Sequence, residues 1–250
     1  MIIGGPGANP NGNDSAGRSY VLFGSIAPTA NPFNLTDLNG SNGFVINGIA
    51  VDDQSGISVS AAGDVNGDGL DDIIIGADGS SPGSNTEAGS NYVVFGTDGP
   101  ISNPINLSDL NGNNGFAING AAEYDYSGTS VSAAGDVNGD GIDDIIIGAS
   151  GADPNGHTEA GSSYVVFGTD GPITSPMNLN DLTHSSGINI SGVAINDRSG
   201  TSVSAAGDVN GDGFDDIIIG APGADPNGNS YAGSSYVVFG HDIIFKNSFE

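Results

Sequence analysis

Gly63-Asp64-Val65-Asn66-Gly67-Asp68-Gly69-Leu70-Asp71-Asp72-Ile73-Ile74-Ile75-Gly76-Ala77 is the stretch on which the fold turns. Its opening words, Gly-Asp-Val-Asn-Gly-Asp-Gly, return at Gly135 and Gly207, a period of 72 residues both times. An internal repeat outranks every local reading. The register holds outward from it. Tyr-Val-Val-Phe-Gly begins at Tyr92, Tyr164 and Tyr236, Tyr-Val-Leu-Phe-Gly begins at Tyr20, and Pro32, Pro104 and Pro176 fall in phase. Residues 1–24 align without gaps on residues 217–240, three periods later. The chain therefore opens in mid-repeat and reads as a piece of a longer array.

Within one period the patterns are short and β-like. Ile57-Ser58-Val59-Ser60-Ala61 alternates with period two, as a half-buried strand does. Asp72-Ile73-Ile74-Ile75-Gly76 is a continuous apolar run suited to a strand buried on both faces, and Tyr92-Val93-Val94-Phe95 is rich in β-formers. Gly115-Phe116-Ala117-Ile118-Asn119-Gly120 alternates again, and Asn106-Leu107-Ser108-Asp109-Leu110 offers about one helical turn. Four short strands per repeat predict an all-β chain, a β-propeller of 72-residue four-stranded antiparallel blades. A β-solenoid has much shorter coils. The expected domain is one partial propeller over residues 1–240, with blades near 1–48 (partial), 57–122, 129–194 and 201–240 (partial), followed by a tail at 241–250. That makes about four blades, two of them incomplete, in an open arc or a fragment of a larger propeller.

Composition narrows the partners. The 43 glycines and 12 prolines would suit a flexible low-complexity segment, were they not spaced in register. Against 30 acidic residues stand Arg18, Arg198 and Lys246, for a net charge of −27. Nucleic acid and anionic membrane are poor partners on that ground, and neither nucleic-acid binding nor membrane insertion is expected. No cysteine exists to form a disulfide, a thiolate zinc site or a nucleophile. Apolar runs of a few residues are too short to insert in a membrane, and Met1-Ile2-Ile3-Gly4 lacks the features of a signal peptide, as expected if one was lost with a missing N-terminus.

The acidic loops carry the chemistry. Oxygen-bearing side chains stand at positions 1, 3, 5 and 9: Asp64, Asn66, Asp68 and Asp72; Asp136, Asn138, Asp140 and Asp144; Asp208, Asn210, Asp212 and Asp216. Hard oxygens at this spacing suit Ca²⁺, and the glycine at position 6 permits the turn that wraps the ion. Position 7 (Leu70, Ile142, Phe214) is expected to add its carbonyl while its side chain turns to the core. An EF-hand needs an acid at position 12 between helices, but Ile75, Ile147 and Ile219 stand there inside a strand. The ligand set closes at position 9, giving about three Ca²⁺ sites. Ordinary turns use the same residue types, yet three copies with the same side-chain ligands, each with four carboxylates in nine residues, point to a cation.

With Ile-Ile-Ile-Gly-Ala following each loop, and Gly220-Ala221-Pro222 in the last copy, the sequence resembles the FG-GAP repeat. That repeat builds the N-terminal propeller of integrin α subunits and occurs in many bacterial surface proteins. The resemblance implies Ca²⁺ held between the first two strands of a blade. This chain departs from the pattern at Ser55-Gly56, Ser127-Gly128 and Ser199-Gly200, where the family has Phe-Gly, and at Gly76-Ala77-Asp78 and Gly148-Ala149-Ser150. The family's propeller normally has seven blades.

Other signals are set aside. Gly79-Ser80-Ser81-Pro82-Gly83 fits a G-x-S-x-G elbow but sits in a loop of one repeat. Asp125-Tyr126-Ser127-Gly128-Thr129 and Asp197-Arg198-Ser199-Gly200-Thr201 resemble part of a metal-adhesion site and read more simply as turns. His157, His184 and His241 occupy non-equivalent positions, and the recurring Tyr and Phe read as core. The expected function is a non-catalytic, calcium-stabilised adhesion or binding module of an extracellular or surface protein of bacterial type, with a protein or glycan ligand. The alternative is an accessory propeller attached to a secreted hydrolase or other enzyme. Incomplete end blades also predict self-association.

Overall fold

The computed structural model describes residues 1–24 and 33–240; Pro32, His241 and the expected tail with Lys246 lie outside them. In chain order the strands are β1 (Ile2–Gly5), β2 (Arg18–Leu22), β3 (Gly43–Asn47), β4 (Ser58–Gly63), β5 (Asp72–Ala77), β6 (Ser90–Val94), β7 (Ile105–Asn106) and β8 (Gly115–Asn119). They continue as β9 (Ser127–Gly135), β10 (Asp144–Ala149), β11 (Ser162–Val166), β12 (Met177–Asn178), β13 (Gly187–Ser191), β14 (Ser202–Gly207), β15 (Asp216–Ala221) and β16 (Ser234–Val238). Four antiparallel sheets result: β1-β2-β3, β4-β5-β6-β8, β9-β10-β11-β13 and β14-β15-β16. Helical geometry among the described residues is confined to 3-10 turns such as Leu107–Asp109. The chain is all-β, and its sheets are propeller blades in an unclosed series: the first and last share no strand pairing among the described residues.

The triple isoleucine explains how blades stack. On β5, Ile74 packs with Ile145, Ile147 and Val166 of the third blade, whereas Ile75 packs with Phe44 and Ile46 of the first. On β10, Ile145 and Ile147 face the second blade and Ile146 faces Ile217 and Ile219 of the fourth. Side chains alternate across a strand, so one run supplies both neighbouring cores. Each fully buried isoleucine contributes about 1.5–3 kcal/mol.

The seams between blades are also sewn by polar groups. β4, β9 and β14 lie side by side. The Ser58 hydroxyl accepts the Val131 N–H at 3.0 Å, and the Ser130 hydroxyl accepts the Val203 N–H at 3.1 Å. Glycines bring the backbones together at the same seams: a Cβ on Gly76 would lie 2.1 Å from the Gly128 carbonyl oxygen, and one on Gly148 would lie 1.9 Å from that of Gly200. At the outer edge, β7 runs back to pair in parallel with β3 of the preceding blade, and β12 does the same with β8. Asn47 donates to Asn106 and Asn119 to Asn178 across these joints, at 3.1 and 3.0 Å. With no following sheet among the described residues, the fourth blade leaves Val237 46% exposed where Val93 and Val165 are fully covered.

Candidate metal centre

Each acidic loop joins the first and second strands of a blade, so its two ends are fixed by sheet pairing: Gly63 opposite Asp72, Gly135 opposite Asp144, Gly207 opposite Asp216. Between those anchors the side chains fold inward on the loop's own N–H groups. Asp64 accepts from Asp68 at 3.0 Å and from Gly69 at 2.8 Å through its two oxygens; Asn66 Oδ1 also accepts from Asp68, at 2.9 Å; Asp68 Oδ1 accepts from Leu70 at 2.9 Å. The second loop repeats this with Asp136 accepting from Asp140 and Gly141, Asn138 from Asp140, and Asp140 from Ile142. The third repeats it with Asp208, Asn210 and Asp212. Glycine at position 6 takes φ of 88°, 89° and 94° in the three copies, a region closed to most side chains.

Position 9 has a separate task. Asp72 is buried, with one oxygen on the Val65 N–H (3.0 Å) and the other on the Gly96 N–H (2.8 Å). Asp144 binds Val137 and Gly168 in the same way, and Asp216 binds Val209 and Gly240. The glycine that ends Tyr-Val-Val-Phe-Gly is thereby tied to the loop. Burial pushes the Asp72 carboxyl up to about 6; the nearby charges of Asp68 and Asp64 push the same way, against the two N–H groups. Asp144 is pushed up to about 7 by burial, with Asp140 and Asp136 adding to it.

The residues fit a hard divalent cation. Three like charges crowd each of these two centres, and every carboxylate oxygen bound to one N–H keeps further acceptor capacity. Among the described residues no three acidic or histidine side chains close into a metal cage; the oxygens instead cap the loop backbone. Clefts of about 520 and 500 Å³ open beside the first and second loops, bordered by Asp68 with Asp98 and by Asp140 with Asp170.

Two sequence readings change. The position-7 side chains do not turn into the core: Ile142 comes to 3.6 Å from the Cβ site of Gly67, Phe214 covers Gly139, and Leu70 is 36% exposed. Ile142 and Phe214 lie on the loop of the preceding blade, whereas Leu70 lies beside Gly96 of its own blade. Position 8, outside the expected ligand set, proves to be a seam residue. Asp143 Oδ2 accepts the Asp64 N–H at 2.9 Å, and Asp215 Oδ2 accepts that of Asp136 at 3.0 Å. The signal for it was present as an aspartate repeated beside position 9.

The signals set aside stay outside the loops. Ser81 accepts the Glu87 N–H in an exposed turn, and exposed His157 lies 3.0 Å from the Val193 carbonyl. Asp53, Asp125 and Asp197 are buried turn formers, accepting the N–H three residues earlier. Tyr92 and Tyr164 are core. At the blade end opposite the acidic loops, a cleft of about 860 Å³ is bordered by Glu123, Tyr124, Asp125, Tyr126, Asp153 and Glu159.

Residues 55–94, 127–166 and 199–238 each match the model of the FG-GAP repeat. Integrin alpha-5 of Xenopus laevis is 31% identical over 221 residues, covering 86% of this chain and 18% of that protein. Integrin alpha-PS2 of Drosophila melanogaster is 31% identical over 188 residues, 72% of this chain and 11% of that protein. Phosphatidylinositol-glycan-specific phospholipase D of Bos taurus is 29% identical over 181 residues, 69% of this chain and 20% of that protein. The chain spans a fifth or less of the length of these relatives. No helix of the described residues is long and apolar enough to cross a membrane.

Proposed function

The chain is an FG-GAP repeat protein, and from that premise we propose that it is a calcium-stabilised, non-catalytic binding module of an extracellular or surface protein. The observation that carries this reading is the crowding of Asp64 and Asp68 on buried Asp72, repeated at Asp136, Asp140 and Asp144. A cation at each loop would be held by the side-chain oxygens of positions 1, 3, 5 and 9 with the position-7 carbonyl: Asp64, Asn66, Asp68, Leu70 and Asp72, and their counterparts. It would supply the positive charge these carboxylates lack. The likeness to integrin α subunits supports a protein ligand. The cleft beside Tyr124 and Glu123, in which Arg198 already pairs with Glu159, offers such a ligand aromatic and acidic contacts.

A second reading rests on the phospholipase D relatives, which are enzymes by name. In it the same propeller accompanies a catalytic domain. Both readings need the cation. At ~100 Kd each site adds about 2.7 kcal/mol to stability, so chelation is expected to lower the melting temperature sharply, with Ca²⁺ restoring it better than Mg²⁺. A melting curve unchanged by EDTA would sink the calcium reading.

A further inference from the structure

Each acidic loop is also the platform on which the next blade docks. Asp143 not only accepts the Asp64 N–H; its own N–H donates to the Asp64 carbonyl at 3.2 Å. Asp215 and Asp136 form the same reciprocal pair, at 3.0 and 3.2 Å. The pair requires glycine before it: a Cβ on Gly63 would lie 2.2 Å from Asp143 Oδ2, and one on Gly135 would lie 2.2 Å from Asp215 Oδ2. The Thr169 N–H donates to the Val65 carbonyl at 3.0 Å, and the Asp170 Cβ rests 3.4 Å from the Cβ site of Gly67.

Position 1 therefore faces two ways. The Asp64 carboxylate points into its own loop, on Asp68 and Gly69, while its backbone N–H and carbonyl hold Asp143. Asp143 is covalently next to Asp144, the closing residue of the following loop. We propose that occupancy of one cation loop is coupled through this pair to docking of the next blade and to filling of its loop, so that the array binds Ca²⁺ with positive cooperativity. This rests on the calcium reading. An ion on Asp64 fixes the backbone that Asp143 must meet, and the ordering of the second loop is then partly complete before its own ion arrives. Linkage makes the effect mutual, and couplings of this kind are typically about 5–150-fold in affinity. Pure electrostatics runs the other way, since each bound ion reduces the negative field that attracts the next; at physiological salt that effect is screened beyond about 8 Å.

The test is a Ca²⁺ titration of the full chain followed by ¹H–¹⁵N NMR, where Gly69, Gly141 and Gly213 report their loops separately. The wild type should fill its loops with a Hill slope clearly above one. Asp143→Ala with Asp215→Ala should bring the slope to one while all three loops still fill. Asp143→Asn, which keeps an acceptor oxygen, should retain the steep slope. Asp71→Ala should also retain it, because residues 1–63 hold no acidic loop for Asp71 to join. In the wild type, exchange protection of the Asp64 and Asp143 amides should rise at one midpoint, a measurement independent of whether the alanine variant folds. Separate midpoints, or a slope unaltered by the double alanine change, would overturn the coupling while leaving calcium binding intact. Absence of any Ca²⁺ effect on the wild type would overturn the calcium reading itself.

Discussion

Replacing Gly148 by alanine tests blade stacking at its tightest point. The added Cβ would lie 1.9 Å from the Gly200 carbonyl oxygen and 2.9 Å from its carbon. Ordinary contact needs about 3.4 Å or more, and both partners are backbone, so no rotamer change relieves the clash. The third and fourth blades must separate by more than an ångström, which strips contact from Ile146, Val165, Ile217 and Ile219 on both sides of that seam. Overpacking of this kind costs about 3 kcal/mol, the upper end of the usual range. Alanine is favoured over glycine by roughly 0.5–1 kcal/mol through the unfolded chain, which offsets a minor part. A net loss of about 2 kcal/mol corresponds to a fall of roughly 4–8 °C in melting temperature for a chain of this size. The control is Gly220→Ala, at the same repeat position in the last blade, where the nearest atom is the rotatable Ser202 hydroxyl at 2.4 Å. It should melt within about 2 °C of wild type. Calorimetry in saturating Ca²⁺ compares the two directly. If Gly148→Ala melts with wild type, or both variants fall equally, the glycine is not there for the neighbouring blade.

Three further outcomes are expected. In EDTA the fold should be more stable at pH 5 than at pH 8: Asp72 and Asp144 hold protons in the folded state up to about 6 and about 7 against an ordinary 3.8, so stability is lost as pH rises through that window. For Asp144 the part of the shift between pH 5 and about 7 is worth on the order of 3 kcal/mol; Asp144→Asn should flatten the profile, and a wild-type melting temperature that climbs from pH 5 to pH 8 would contradict the burial argument. Asp140→Ala should reduce the stabilisation by Ca²⁺ and matter little in EDTA, whereas Asp143→Ala should destabilise in both, by about 1 kcal/mol for the part-buried N–H it abandons; identical behaviour of the two in paired melts would refute the division into ligand and seam roles. Ser130→Ala removes the acceptor of the Val203 N–H and should cost about 1 kcal/mol, read as faster exchange of that amide; unchanged exchange would mean that the hydroxyl is dispensable.

Much of this molecule was legible in advance, and the boundary of legibility has a physical cause. Strand patterns are local: the alternation of Ser58-Val59-Ser60 and the run Ile73-Ile74-Ile75 point to strands because neighbouring residues face opposite sides. The loop oxygens are local too, all within nine residues. The seams are not. Asp64 and Asp143 are 79 residues apart, one period plus seven, and Ser58 and Val131 are 73 apart. A perfect repeat gives equal residues at every period, so the sequence cannot distinguish a partner in the same blade from its equivalent in the next. Hence Asp143 stood only as a residue outside the ligand set, Ile142 as turned to the core, and Ser58 as one residue of an alternating strand with no sign of its partner. The same degeneracy concealed β7 and β12, two-residue strands whose Ile105-Asn106 and Met177-Asn178 carry no pattern of their own.

Those two short strands separate the unit of inheritance from the unit of folding. The first and second blades take their edge from the repeat that follows, so a 72-residue copy removed or added at any phase of that stretch rejoins ends that already match. Unequal crossing-over between copies can change the number of blades without any new joint having to arise. An exchange out of phase would send β7 to a strand whose Ile46 and Asn47 are displaced from Ile105 and Asn106, and selection would remove it. The constant spacing of 72 residues between Gly63, Gly135 and Gly207 is what such a joint requires.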